Sequence, residues 1–583
     1  MLWRRSDLMG RDLFQSWKFW AGCAAVWATG LLLIAAFPPY EHSALAWVAL
    51  VPLLLVALRA SPGWAFRAGY GAGFIFWLGT LRWLLKLGDT SPVPLFLYVL
   101  AWVALSACLA VYVGGFAWTA RRLAGLLDVR RWWVPPLLTL AIPLIWVGWE
   151  YLRATLFSGF PWNPLGVSQY RQLGVIQIAE YGGVYAVSAL VTLMNAGLAL
   201  TIDRYLHRGS DRRYRPHIEL FLALAIILFC VFQIGPRLIR RQTSRQAQFR
   251  VALIQPAIPQ LKKWDPADEA RILDRLDHLT RGVLPLKPDL VVWPETAMPA
   301  GLQDWVQDTN ATPAWQQVGR LLTPDSSLLI GTMVYEGAWP RPQLYNAAVL
   351  VNATEGLQAA YAKQHLVPFG EYIPLEQWFP RLGEWSPLGW SCAPGRRPVV
   401  FELEGGRTFS TMICFEDVFP NLVRKFVRNG ARLLINMTND AWFDGTAAAV
   451  QHLSHSVLRA VENRVPVVRA ANSGVSCFID RSGRIYARIE PEPGGKPAST
   501  TLVSGVEFPP YDQTLTVYSR WGDWALARPC GLAVGGGVFL ALIVRRRKGK
   551  TAPLFKTPDG KNPDASMAPV ARPPDSEMEK QDD

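Results

Sequence analysis

Charge is scarce in this chain. Asp, Glu, Lys and Arg make up 18% of its 583 residues, against about 25% in soluble proteins. With 51% hydrophobic residues and 26 Trp, the deficit argues against an ordinary soluble protein and points to a membrane. Cysteine is also sparse. Of seven thiols, Cys23, Cys108, Cys230 and Cys530 lie in or beside apolar runs and read as packing residues. Cys392, Cys414 and Cys477 form neither a disulfide framework nor a CxxC metal pattern, and a Cys392–Cys477 pair stays open. The net charge of +14 would suggest nucleic acid in a soluble protein. Here the arginines cluster in short loops between apolar runs, so topology explains them and no nucleic-acid partner is expected.

A bilayer-spanning helix needs about 20 apolar residues. Eight candidate runs occur, near Trp17–Phe37, Ala44–Leu58, Gly63–Leu85, Val93–Ala120, Val134–Phe157, Val175–Leu200, Ile218–Gly235 and Trp524–Val544. The first follows Arg4 and Arg5 but lacks a clear cleavage site, so it reads as an uncleaved helix. Arg59 and Arg67, then Arg121, Arg122, Arg130 and Arg131, then Arg204, Arg208, Arg212, Arg213 and Arg215 mark the even loops, and with them the N-terminus, as cytoplasmic. Seven crossings then place the long polar stretch outside, and Arg545-Arg546-Arg547-Lys548 sits inside after the eighth. The expected organisation is a membrane domain of seven transmembrane helices over 1–245, an extracytoplasmic catalytic domain over 246–515, an eighth helix in 516–545 and a disordered cytoplasmic tail over 546–583. Glu150 and Arg153, at the outer end of the fifth helix, would contact a lipid headgroup or snorkel.

Between 246 and 515, short β-forming runs alternate with helical patterns such as Ile272, Leu276, Leu279 and Val283, which implies an α/β layered domain. Three β runs end in polar residues. Val291-Val292-Trp293-Pro294 leads to Glu295, Tyr361-Ala362 to Lys363, and Thr411-Met412-Ile413 to Cys414. A thiol needs a base to attack an acyl carbonyl, and the tetrahedral oxyanion needs a cation or donor. Glu295, Lys363 and Cys414 could fill those roles, and a helix start after Cys414 would favour the thiolate. A Cys at a strand end serves equally as a core residue, and the sequence does not show the three as neighbours. His452 and His455, three apart on a predicted helix, are too few for a metal site.

Around these residues the chain resembles the nitrilase superfamily and, more closely, its membrane branch, the apolipoprotein N-acyltransferase family. The resembling segments are Lys262-Lys263-Trp264, Trp293–Thr296, Lys363–Pro374, Ile413–Glu416 and Asn439–Phe443. The order of seven helices, polar domain and one helix is similar too. The resemblance implies a multi-pass α-helical membrane domain joined to a nitrilase-like α-β-β-α sandwich. It implies a bacterial inner-membrane enzyme, with the catalytic domain on the periplasmic side, that uses no metal and no cofactor. The implied reaction moves an acyl chain from a phospholipid donor to the N-terminal amine of a diacylglyceryl apolipoprotein through a thioester. Glu295 would be the base, Lys363 the oxyanion stabiliser, Cys414 the nucleophile and Glu371 a supporting carboxylate. Trp264, Phe415, Glu416 and Trp442 would handle substrate. Phe415 departs from the Tyr common in the family.

Trp378, Phe379, Trp385 and Trp390 suggest that 376–398 dips into the outer leaflet as a lid. A membrane-bound nitrilase-like amidase would use the same three residues, but a simple anchor needs one helix, not seven. A transporter with an outer domain is a further alternative. No clear repeat supports it, and few charges lie deep in the runs.

Overall fold

The computed structural model describes residues 5–90, 93–128, 131–206, 217–240, 249–303, 312–337, 342–374, 376, 378, 391–492, 496–509 and 514–550. Among the described residues, six helices are long and apolar enough to cross a membrane: Phe19–Ala36, Leu95–Leu126, Val134–Ser158, Val184–Leu206, Ile218–Arg240 and Val517–Ala541. They answer to six of the eight expected runs. The second run instead forms a 3-10 turn, Ser43–Trp47, and the two-turn helix Val51–Ala57. Pro52 fits at its first turn, but seven residues rise only about 10 Å. The third run is the 19-residue helix Pro62–Thr80, capped by Ser61. Its glycines lower its hydropathy and let it pack closely. A Cβ on Gly69 would lie 2.6 Å from the Val113 carbonyl of the Leu95–Leu126 helix, the small-residue contact usual between membrane helices.

Ion pairs and loops reveal which ends lie together. Arg59, after the second run, pairs with Asp203 near the end of the Val184–Leu206 helix at 2.6 Å. Arg121 donates to the Ala60 carbonyl at 2.5 Å. At the other end, the turn after the first helix, the end of Pro62–Thr80 and the loop before Leu165 all meet the α/β domain through Gln451. Its amide donates to the carbonyls of Pro38 at 2.9 Å and Thr80 at 3.1 Å. Its oxygen accepts from the indoles of Trp162 at 2.8 Å and Trp83 at 3.1 Å. Glu150 and Arg153 are buried and bond to the protein rather than snorkelling outward. Glu150 accepts from the Leu165 amide at 2.7 Å, and Arg153 donates to the carbonyls of Phe160 and Trp162 at 2.5 and 2.7 Å. Together they brace the loop that carries Phe160 and Trp162.

The α/β domain contains thirteen strands in the described residues: β1 Phe249–Gln255, β2 Leu290–Val292, β3 Leu302–Gln303, β4 Ser327–Glu336, β5 Gln343–Asn352, β6 Gly356–Ala362, β7 Phe401–Leu403, β8 Arg407–Ile413, β9 Leu434–Thr438, β10 Val467–Ala471, β11 Cys477–Ile479, β12 Ile485–Arg488 and β13 Thr500–Val506. They form two sheets, ordered β13-β1-β2-β4-β5-β6, with β3 beside β4, and β12-β11-β10-β9-β8-β7. Each holds a central parallel set, β1-β2-β4 and β8-β9-β10; the short β3 also runs parallel to β4, and the other outer strands are antiparallel.

Alternation sorts the side chains between two layers. Val251, Leu253, Leu290, Val292 and Leu329 join the core shared with Phe409, Ile435 and Met437 of the second sheet. Their neighbours Ala252, Ile254, Val291 and Ile330 pack outward on Ile272, Leu276 and Trp315. These last sit on the helices Glu269–Val283 and Pro313–Gly319. Helices Pro420–Arg428 and Ala448–Asn463 flank the second sheet, completing the α-β-β-α stack. Cys392 and Cys477 are both free thiols, so no bridge joins them. Trp378 is 70% exposed. Phe379, Trp385 and Trp390 of the expected lid, and the expected tail beyond Lys550, lie outside the described residues. Residues from Gly536 onward make a second unit, whose described part is the end of the Ala527–Lys550 helix.

Candidate active site

Four segments converge at the ends of β2, β5, β6 and β8, the edge where an open α/β sheet exposes its loops. Chain reversals there are tight. Thr296, Phe369 and Cys414 all have positive φ, at 46°, 61° and 52°, a region that costs an ordinary L residue about 1–2 kcal/mol. Gly331 of β4 passes so close beneath the β2 end that a Cβ would lie 2.1 Å from the Pro294 carbonyl and 2.8 Å from Glu295 Cα.

Lys363, just past β6, is 1% exposed. Its Nζ donates to Glu371 Oε1 at 2.9 Å and to Glu295 Oε1 at 3.3 Å. Asn346 of β5 joins the same two carboxylates, with its amide 2.8 Å from Oε1 of each. The Asn439 amide donates to Glu295 Oε2 at 2.9 Å and the Val367 amide to Glu371 Oε2 at 2.9 Å. Glu295, Lys363 and Glu371 are thus brought together, with Asn346 as a fourth member. Burial alone would discharge Lys363, but the Glu371 and Glu295 charges outweigh it and hold its pKa well above the ordinary lysine value.

A second buried lysine, Lys263, donates to the Glu295 main-chain carbonyl at 2.8 Å. Burial pulls its pKa down to about 7, against the charges of Glu295 and Cys414.

Cys414 is half-buried, in electrostatic reach of Glu295 and Lys363. The following helix does not make it a resting thiolate, contrary to expectation. That helix is a five-residue 3-10 turn, Cys414–Val418, with Glu416 and Asp417 in its first turn. Burial first, then the Glu295 charge, pushes the thiol well up, and Lys363 only partly offsets them. Burial and the Glu295 charge thus disfavour the thiolate, so attack by this thiol would call for a base.

Glu416 is fully buried and ties two segments together. Its Oε1 accepts from the Tyr361 hydroxyl at 2.7 Å, the Gln364 amide at 2.7 Å and the His365 amide at 3.1 Å. Its Oε2 accepts from the Ile413 amide at 2.7 Å. Phe415 faces the membrane domain. Its ring lies 5.8 Å from Trp162, nearly stacked, and 6.3 Å from Phe160. Near it, a cavity of about 380 Å³ opens between Thr155, Pro161 and Tyr185 on one side and His365 and Phe419 on the other. Trp264 packs against the buried cluster of Met333, Leu366 and Cys392, and its indole N–H is buried without an acceptor. Trp442 is half-buried on the Asp440–Phe443 turn and makes no hydrogen bond or ring contact with the other site residues described. The described residues hold no cluster able to bind a metal.

Sequence reasoning missed Asn346 and Lys263, and set aside His452. Asn346 had one signal, a polar amide inside a strand of apolar residues, where Asn is depleted.

Two family models match the chain. The apolipoprotein N-acyltransferase N-terminal domain covers 29–197, and carbon-nitrogen hydrolase covers 250–501. The apolipoprotein N-acyltransferase of Geobacter metallireducens is 35% identical over 523 residues, 89% of this chain and 94% of that one. That of Allorhizobium ampelinum is 34% identical over 475 residues, 80% of this chain and 83% of that one. That of Brucella melitensis is 33% identical over 450 residues, 75% and 79%. Membrane helices, an α-β-β-α domain and likeness along nearly the whole length converge: the chain belongs to the apolipoprotein N-acyltransferase family.

Proposed function

We propose that this bacterial membrane enzyme moves an acyl chain from a phospholipid to the N-terminal amine of an S-diacylglyceryl-cysteine on an apolipoprotein. The α/β domain stands on the periplasmic side of the inner membrane. The observation that carries the reading is a thiol, Cys414, in electrostatic reach of a carboxylate, Glu295, that is already bonded to the buried Lys363 ammonium.

In the first half-reaction the Cys414 sulfur attacks the donor's ester carbonyl while its proton passes to Glu295. The ester π electrons become an oxyanion, which Lys363 stabilises. As the oxyanion collapses, the C–O bond breaks and the lysophospholipid oxygen takes the proton from Glu295. A thioester remains on Cys414. In the second, the acceptor amine attacks that carbonyl, its surplus proton returns through Glu295 to sulfur, and the amide is released. Glu371 and Asn346 hold Lys363 and Glu295 in place. Glu416 fixes the nucleophile turn against the Lys363 segment, and Trp264, Phe415 and Trp442 handle the lipid and acceptor.

Intact-mass measurement after exposure to phospholipid vesicles tests this. Expected is one acyl adduct, cleaved by hydroxylamine, on the wild type and none cleavable on Cys414→Ser. Steady fatty-acid release without a stalled adduct would point to hydrolysis instead. No adduct on the wild type would sink the reading.

A further inference from the structure

The Cys414 main-chain carbonyl is the target of two buried side chains. Asn436 Nδ2 of β9 donates to it at 3.0 Å and His452 Nε2 at 3.1 Å. Both donors are set by one arginine. Arg469 of β10, fully buried, donates through Nη1 to Asn436 Oδ1 at 2.9 Å, which turns the Asn436 amide nitrogen toward Cys414. Through Nη2 it donates to Asp440 Oδ2 at 2.8 Å, and Asp440 Oδ1 lies 3.1 Å from His452 Nδ1. Asp417 Oδ1 stands 2.9 Å from the same Nε2, so that ring N–H faces the carboxylate and the carbonyl together. Burial and Arg469 act against a charged ring, but the two aspartates prevail and raise its pKa to about 9.

This is much machinery for one carbonyl, and the peptide it belongs to explains it. Cys414 has φ of 52°, which an L residue holds only when its surroundings impose it. In a trans peptide the carbonyl and the next N–H point in opposite directions. Pinning the Cys414 oxygen toward Asn436 and His452 therefore fixes the Phe415 N–H on the opposite side. That N–H lies in the first turn of the Cys414–Val418 3-10 segment, where helical amides have no intrahelical partner one turn back.

We propose that Asn436 and His452, oriented by Arg469, are positioning residues that lock the Cys414–Phe415 peptide so that its N–H stabilises the acyl oxyanion beside Lys363. The proposal rests on the acyl-transfer reading above. It differs from a merely structural brace in its kinetic signature. Thioester formation develops an oxyanion, whereas alkylation by iodoacetamide displaces iodide at a tetrahedral carbon and develops none.

The test uses full-length enzyme in vesicles of phosphatidylethanolamine and phosphatidylglycerol, with Asn436→Ala and His452→Gln beside the wild type. Cys414 acylation and Cys414 alkylation are timed separately by intact mass. Expected is acylation slowed about 100-fold in Asn436→Ala, and by less in His452→Gln, whose amide can still donate, with alkylation within about threefold of wild type. Unchanged acylation in both variants overturns the proposal. So does a parallel fall of acylation and alkylation, unfolding included. A wild type that alkylates but never acylates sinks the acyl-transfer reading instead.

Discussion

Lys263 Nζ donates to the main-chain carbonyl of Glu295, at 2.8 Å, while Lys363 reaches the carboxylate of the same residue, at 3.3 Å. One glutamate is thus held by two buried lysines in different ways. Lys363 and the carboxylates of Glu295 and Glu371 sum to one negative charge before any anion forms on substrate. Lys263, when protonated, cancels it.

Removing that cation should slow thioester formation. Lys263→Met is expected to lower the acylation rate about tenfold or more, since a buried charge nearby acts at low effective dielectric. The pH dependence of stability has a definite sign. The folded chain releases the Lys263 proton near pH 7, the unfolded chain near 10.5. Wild type therefore carries a cost that grows as pH falls from 10.5 to 7. Thermal unfolding in detergent should show the difference moving in favour of Lys263→Met across that window.

Glu416→Gln replaces two acceptor oxygens by one and places an NH₂ against backbone amides. Bonds to a buried carboxylate contribute about 1.5–3 kcal/mol each, so unfolding should come at clearly lower temperature. Acylation should fall at least about 100-fold, because the Lys363 segment and the Cys414 turn lose their shared brace. A variant acylated at the wild-type rate would show that Glu416 braces nothing the reaction needs.

Gly331→Ala probes the approach beneath Glu295. The added methyl cannot fit 2.1 Å from the Pro294 oxygen, so the β2 end must lift. Destabilisation of about 1–3 kcal/mol is expected, with acylation lost out of proportion to it. The check is acylation at a temperature where circular dichroism reports full folding.

Gln451→Leu should loosen the junction between membrane helices and the α/β domain. It leaves the indoles of Trp83 and Trp162 and the carbonyls of Pro38 and Thr80 without their partner. Each such buried orphan costs about 1–3 kcal/mol. Hydrogen exchange should rise first in the Ala448–Asn463 helix and in the loop that carries Trp162.

The tips of β2, β6 and β8 were legible because a buried strand writes a run of apolar residues and its polar end stands out. What the sequence hid depends on register between strands distant in the chain. Arg469 faces Asn436 across β10 and β9, and Asn436 faces Met412 across β9 and β8, so a guanidinium deep in one strand serves a cysteine two strands away. His452 looked like half of a poor metal site, since its partners Asp417, Asp440 and the Cys414 carbonyl come from other segments. Six of the eight apolar runs became long apolar helices because hydropathy alone selects them. Ala44–Leu58 did not, since a run's apolar character does not say whether it crosses or turns back.

The aromatic seam where Phe415 meets Trp162 and Phe160, and Phe443 meets Trp83 at 4.7 Å, has a practical consequence. An excised α/β fragment would present those rings to water. It would also strand Gln451, Glu462, which accepts from the Val184 amide at 2.8 Å, and Arg464, paired with Glu180 at 2.8 Å. Such a fragment should aggregate. Inhibitor screening and crystallisation against this enzyme therefore call for the intact polypeptide in detergent or nanodiscs.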